Sequence, residues 1–158
     1  MKALLHIVKL ARPSGWRAYL WVGLLGYVDS KHSLIPDPIY LYLLISFLAL
    51  TFSVNNLFDV DGDSVNPNKD NPMGECRRSY IYFFIANQVL AVAVFWAWMG
   101  WSLLLYLAMI FLGVAYSVPP LRLKGKPFLD VISHFLFFGA FLYILGYVYG
   151  EGLGGLPW

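Results

Sequence analysis

Residues 39–72 read IYLYLLISFLALTFSVNNLFDVDGDSVNPNKDNP, and the fold turns on how this stretch is taken. Residues 39–58 form a nearly unbroken apolar run, about the 20 residues that carry an α-helix across the hydrocarbon of a bilayer. Four aspartates follow at once: Asp59, Asp61, Asp63 and Asp70. Ionised groups at the end of a membrane span are costly without a partner. The stretch therefore predicts a transmembrane helix that presents acidic groups to something it binds.

The composition around it agrees. Of the 158 residues, 59% are apolar and only 13% charged, with a mean hydropathy of +0.64. A water-soluble domain of this length needs more polar surface, so the chain reads as an all-α membrane protein, a multi-helix transmembrane bundle. Further spans are predicted at 14–28, 80–98, 101–117 and 128–149, giving one transmembrane domain over 1–158. Before the first span, Leu4, Leu5, Ile7, Val8 and Leu10 alternate with Lys2, His6 and Lys9. That amphipathic pattern suits a helix lying in the membrane interface. Lys9 and Arg12 interrupt the N-terminal apolar stretch, unlike the clean core of a cleaved signal peptide. Six tryptophans and eleven tyrosines suit the lipid–water boundary. A net charge of +2 gives no basis for nucleic-acid binding, and the lone Cys76 excludes an internal disulfide and supplies no metal-ligand pattern.

Topology follows from the basic residues. With a cytoplasmic N-terminus in the cell membrane, Lys2, Lys9, Arg12, Arg17, Lys69, Arg77, Arg78, Arg122, Lys124 and Lys126 all lie inside and only Lys31 outside. This is the asymmetry of the positive-inside rule. The aspartate stretch and the basic loop 122–126 then face one compartment and can meet.

If the second span continues a turn or two beyond Phe58, Asn55, Asp59 and Asp63 fall at i, i+4 and i+8 on one helical face. Such oxygens suit magnesium, which takes one or two carboxylates and is completed by substrate phosphates. Calcium is an alternative, because Asp59, Asp61, Asp63 and Asp70 occupy positions 1, 3, 5 and 12 of a calcium-loop count. Against it, the glycine falls at Gly62, where the sixth position, Ser64, should hold it. A solvated acidic loop is the plain reading. Asp130 and His134, one turn apart, suit either an acid–base pair or a helix-dipole and interhelical role.

NNLFDVDGD, which reads N-N-x-x-D-x-x-x-D, closely resembles the N-D-x-x-D-x-x-x-D signature of the UbiA superfamily of intramembrane prenyltransferases. NPNKDNP follows it, YSVPPLRLKGKPFLDVISH resembles the family's segment after the fourth span, and ARPSGW resembles its first-helix Arg-Pro element. The resemblance implies transfer of a prenyl group from an isoprenyl diphosphate to a lipophilic acceptor, with Mg²⁺ as cofactor. Carried onto this sequence, Asn55, Asp59 and Asp63 hold the metal. Asn56 stands where the signature has aspartate and is a further substrate-binding position. Arg122 and Lys124 contact diphosphate oxygens, Tyr116 donates to the leaving group, and Arg12 is the first-helix arginine. Asp59, Asp63, Tyr116 and Lys124 are the expected catalytic set. The wording PPLRLK and PFLD is closer to members acting on carotenoids or other terpenoids than to those prenylating hydroxybenzoate; quinone precursors and lipids are the other acceptor classes.

Five spans of about 20 residues correspond to the first five of the family's nine or so helices. The family's second Asp-rich motif has no counterpart, since Glu151 is the sole acid after Asp130. The expectation is a truncated bundle, whose activity needs a second chain or second copy to supply the missing helices. Its alternative role is that of a non-catalytic membrane binding subunit or inactive fragment of the family. A calcium-binding channel or transporter module is the reading from a different class.

Overall fold

A computed structural model describes residues 2–66, 71–74, 76, 78–99 and 102–151. Those residues are almost wholly helical. In chain order they form α1 (Lys2–Ala11), α2 (Arg17–Lys31), α3 (Pro38–Ser64), α4 (Ile81–Met99), α5 (Leu103–Ser117) and α6 (Pro127–His134). From α6 the chain passes without a break through a π-helical segment, Phe135–Ala140, into α7 (Phe141–Glu151). Three helical stretches, Pro38–Ser64, Arg78–Ala97 and Pro127–Gly150, are long and apolar enough to cross a membrane. The protein is a multi-pass, all-α membrane bundle.

The boundaries differ from the predicted spans where local chemistry intervenes. Residues predicted as the start of the first span, from 14, instead form a turn. The Gly15 amide donates to Arg12 O at 2.9 Å, and the Trp16 indole donates to Ala11 O at 2.6 Å. Helix α2 therefore begins at Arg17 and has 15 residues, as does α5, which begins at Leu103. Each is about 22 Å long, short of a full span. Helix α3 starts sharply because Pro38 follows Asp37, whose carboxylate accepts from the Ile39 amide at 2.7 Å, an N-terminal cap. It then runs 27 residues, past the predicted end at Phe58.

The largest core cluster is built on α3, with Tyr40, Leu43, Leu44 and Phe47 fully buried against Phe95, Tyr106, Phe137, Leu142 and Leu145. A second cluster docks α1 on α3 through Leu10, Leu50 and Val54, joined by Met73 and Phe84. Leu4, Leu5 and Val8 stay exposed on α1. The helix thus has one protein-facing side and one apolar outer side, as an interfacial helix should. Helices α2 and α7 are the most extensively packed pair. At the end of the bundle away from the aspartates, the Tyr143 hydroxyl of α7 donates to the Asp29 carboxylate of α2.

Polar side chains tie the inner helices together. Gln88 Nε2 donates to the Tyr106 hydroxyl at 2.9 Å, and that hydroxyl donates to Leu43 O at 2.9 Å. Tyr106→Phe removes both hydrogen bonds and takes from Gln88 Nε2 its acceptor. It is expected to lower stability by about 1 kcal/mol, the scale of interhelical hydrogen bonds in membranes, measured by reversible unfolding in bicelles.

Candidate functional site

Asn55 and Asp59 lie one helical turn apart on α3, with Thr51 a turn before them, so the three form a stripe. The stripe lines a cavity of about 380 Å³ enclosed by α2, α3, α5, α6 and the π-helical segment. Its rim is polar, carrying Arg12, Asn55, Asp59 and Lys124, and its interior is aromatic, carrying Tyr19, Phe52, Tyr116, His134, Phe137 and Phe138.

Lys124 reaches the rim because the chain turns back after α5. Pro119 and Pro120 follow the helix and cannot continue its hydrogen-bond ladder. The Arg122 amide returns to Val118 O at 2.9 Å, with Arg122 in the left-handed region at φ 34°. One 3-10 turn, Leu123–Gly125, follows. The Lys124 ammonium then donates to Asp59 Oδ1 at 2.6 Å, Asn55 Oδ1 at 2.9 Å and Ser117 Oγ at 3.4 Å. Its three N–H groups are matched by three acceptors. Ser117 Oγ donates in turn to Asn55 Oδ1 at 2.8 Å. Arg122 lies 3.9 Å from the same Asp59 oxygen but is 52% exposed, whereas Lys124 is 14% and Asp59 22% exposed. The lysine pair is therefore the more strongly desolvated of the two, and the arginine is screened by water.

Two hard oxygens thus converge on one cation at the mouth of the cavity. Among the described residues no group of three or more His, Cys, Asp or Glu gathers to hold a metal. Asn55 and Asp59 nonetheless fit magnesium, which needs only one or two protein carboxylates when phosphates complete its shell. The Lys124 ammonium engages both of these oxygens.

Of the predicted site residues, Arg12, Asn55, Asp59, Tyr116 and Lys124 line this one cavity, and Arg122 stands beside it. Asn56 does not reach it. Successive helical residues point about 100° apart, so Asn56 faces α1, is 1% exposed and donates to Leu10 O at 3.0 Å. Asp63 lies a turn beyond the cavity, its Oδ2 accepting from Asn71 Nδ2 at 3.0 Å. The same Asn71 nitrogen donates to Asn56 O at 2.9 Å, so Asp63 and Asn71 brace the end of α3. The calcium-loop reading is overturned as far as the described residues go. Asp59, Asp61 and Asp63 sit on continuous helix and cannot wrap one ion, while Asp70 lies outside the described residues, as do Lys69 and Arg77.

Ser117, Tyr19 and Phe138 were not singled out by sequence. Ser117 had a signal, since it directly follows Tyr116 in the segment YSVPP. Tyr19 and Phe138 had none, being two aromatics among many. The Tyr19 hydroxyl and His134 Nε2 are 2.8 Å apart, so His134 has a partner on α2.

Residues 19–158 match the family model described as the UbiA prenyltransferase family. The chain is 31% identical over 158 aligned positions to a lycopene elongase/hydratase of Haloarcula japonica, covering 94% of this chain and 53% of that protein. It is 28% identical to a protein of the same description from Haloferax volcanii, over 85% of this chain and 47% of that one. A third, from Halobacterium salinarum, is 35% identical over 68% of the chain and 36% of its own length. The chain spans about half the length of the first two. No solved structure matches it.

Proposed function

The chain belongs to the UbiA prenyltransferase family, and from that premise we propose that its cavity binds an isoprenyl diphosphate and hosts prenyl transfer to a lipophilic isoprenoid acceptor. The observation that carries this reading is the convergence of Asn55 and Asp59 on one cation, Lys124, at the polar mouth of an aromatic cavity. The relatives described as lycopene elongase/hydratase support a carotenoid-like acceptor.

Asn55 and Asp59 would hold magnesium, with Asp63 braced behind them. When bound, the metal neutralises the diphosphate and stabilises the charge that grows on it as the allylic C–O bond breaks. Lys124, displaced from Asp59, turns its ammonium to a phosphate oxygen. Arg122 and Arg12 add guanidinium contacts at the rim, Arg122 in bidentate fashion. Tyr116, which lines the cavity, would donate to the leaving group. Phe52, Phe137 and Phe138 exclude water and present ring faces to positive charge on the prenyl carbons. The distribution of basic residues supports a cytoplasmic N-terminus and a diphosphate entering from that side of the cell membrane.

Because the chain spans about half of its relatives, a second reading has the same site acting as a binding module, completed for turnover by a second chain. Both readings require metal-assisted binding. Equilibrium titration of the vesicle-reconstituted chain with geranylgeranyl diphosphate is expected to show uptake that depends on Mg²⁺. Equal affinity with and without the metal would overturn both. Binding without turnover, until further helices are supplied, would select the second.

A further inference from the structure

We propose that Tyr19 and His134 form a proton relay inside the cavity, which removes the proton released when the acceptor is alkylated. The proposal rests on the reading of this cavity as a prenyl-transfer site.

The pair joins helices far apart in sequence, with the Tyr19 hydroxyl 2.8 Å from His134 Nε2. An interhelical hydrogen bond used only for packing would be expected in the close-packed core. This one lines the cavity, since both residues belong to its wall. Its depth is set by Phe52, whose ring lies 6.0 Å from Tyr19 and seven residues before Asp59. Seven residues are roughly 10 Å along the helix axis, so the pair stands on the aromatic side of the cavity, away from the Asp59–Lys124 contact. The ring of Tyr19 stacks on Phe138 at 4.2 Å, which fixes the direction of its hydroxyl.

A second observation is independent. The backbone changes from α to π at Phe135, immediately after His134. A π turn accommodates one more residue than an α turn, re-aims the side chains around it, and occurs disproportionately at functional sites. Here it brings Phe137 and Phe138 into the same wall as His134. The other titratable groups facing the imidazole are Tyr116 from α5 and Asp130 on its own helix; Asp59 and Lys124 share the cavity but are engaged with one another.

The chemistry needs such a group. When an acceptor C=C attacks the allylic carbon, a C–C bond forms, the C–O bond to diphosphate breaks, and a carbocation is left on the acceptor. The adjacent C–H bond then breaks and its electron pair becomes a new C=C. Its proton passes to Tyr19 Oη while the tyrosine's own proton moves to His134 Nε2. The resulting imidazolium then releases the proton to water on the side where His134 borders Asp130. Asp130 borders a groove with His134, but among the described residues it is His134 that lines the cavity itself.

The test reads His134 directly. Diethyl pyrocarbonate acylates the lone pair of a neutral imidazole, and mass spectrometry separates His134 from His6 and His32. In the reconstituted chain, geranylgeranyl diphosphate with Mg²⁺ is expected to protect His134 several-fold while leaving His6 and His32 unchanged. Tyr19→Phe, by freeing Nε2, is expected to raise its labelling. Turnover falls about a hundredfold in His134→Ala, the scale of general acid–base catalysis, and imidazole added to the buffer restores part of it. Ligand that binds without protecting His134, or turnover unchanged in His134→Ala, overturns the relay and leaves the proposed function standing. Failure of the diphosphate to bind overturns both.

Discussion

Asp59→Ala is expected to abolish magnesium-assisted binding of geranylgeranyl diphosphate, an affinity loss of about a hundredfold or more. The carboxylate is only 22% exposed and holds the Lys124 ammonium at 2.6 Å. A hundredfold corresponds to roughly 2.7 kcal/mol, within the range of about 2–5 kcal/mol for losing one charged partner across a desolvated interface; here the partner lost is the metal ion that the carboxylate would hold. Two effects combine in the variant: one of the two cation-directed oxygens is gone, and the ammonium is left with only Asn55 and Ser117. Lys124→Met separates them. It frees Asp59 for the metal, so binding weakens while its dependence on Mg²⁺ persists. Asp63→Ala is expected to do less than Asp59→Ala, because Asp63 stands outside the cavity and braces Asn71. Radioligand binding over a magnesium titration distinguishes all three. Retention of metal dependence in Asp59→Ala would move the metal site elsewhere.

Gly146→Ala is expected to destabilise the bundle by about 3 kcal/mol, the upper range for overpacking a fitted interior. A Cβ at Gly146 of α7 would collide with the Gly23 carbonyl of α2, and would lie 2.6 Å from the Tyr27 nitrogen and 2.8 Å from the Tyr40 hydroxyl. Two of those obstacles are backbone atoms, which cannot swing aside. The third is tied down, since Tyr40 donates its hydroxyl to Gly23 O at 2.6 Å. Alanine is the better helix former by about 1 kcal/mol, so a net loss has to come from the close approach of α2 and α7. Small residues permit such approaches in membranes, where apolar side chains gain little by leaving lipid. Gly62→Ala, where a Cβ meets nothing within 4 Å, is the matched control and is expected to be neutral or slightly stabilising. Unfolding midpoints in bicelles decide the comparison. An unchanged midpoint for Gly146→Ala would show that the two helices can separate at no cost.

The sequence by itself determined the parts that depend on neighbours along the chain. The apolar run ahead of Asp59 specified a membrane helix, and a period of 3.6 residues put Asn55 and Asp59 on one face. The same period would have set Asn56 aside, had the family signature not drawn it in. Pro119 and Pro120 marked the end of α5, and the charges at 122–126 marked a segment able to meet the aspartates. Only the tertiary structure decided the rest. It turned Asp63 away to Asn71, added Ser117 to the lysine's partners, and docked α1 on the far side of α3. It also chose Tyr19, Phe52 and Phe138 from a crowd of aromatic residues to line the cavity. The physical reason is that lipid and protein interior are equally apolar, so a ring bound for the cavity, the core or the bilayer has the same sequence signature. Which of the three it meets is settled when helices far apart in the chain pack together, and in α2 and α7 that packing hangs on glycines whose effect is to bring two backbones into contact.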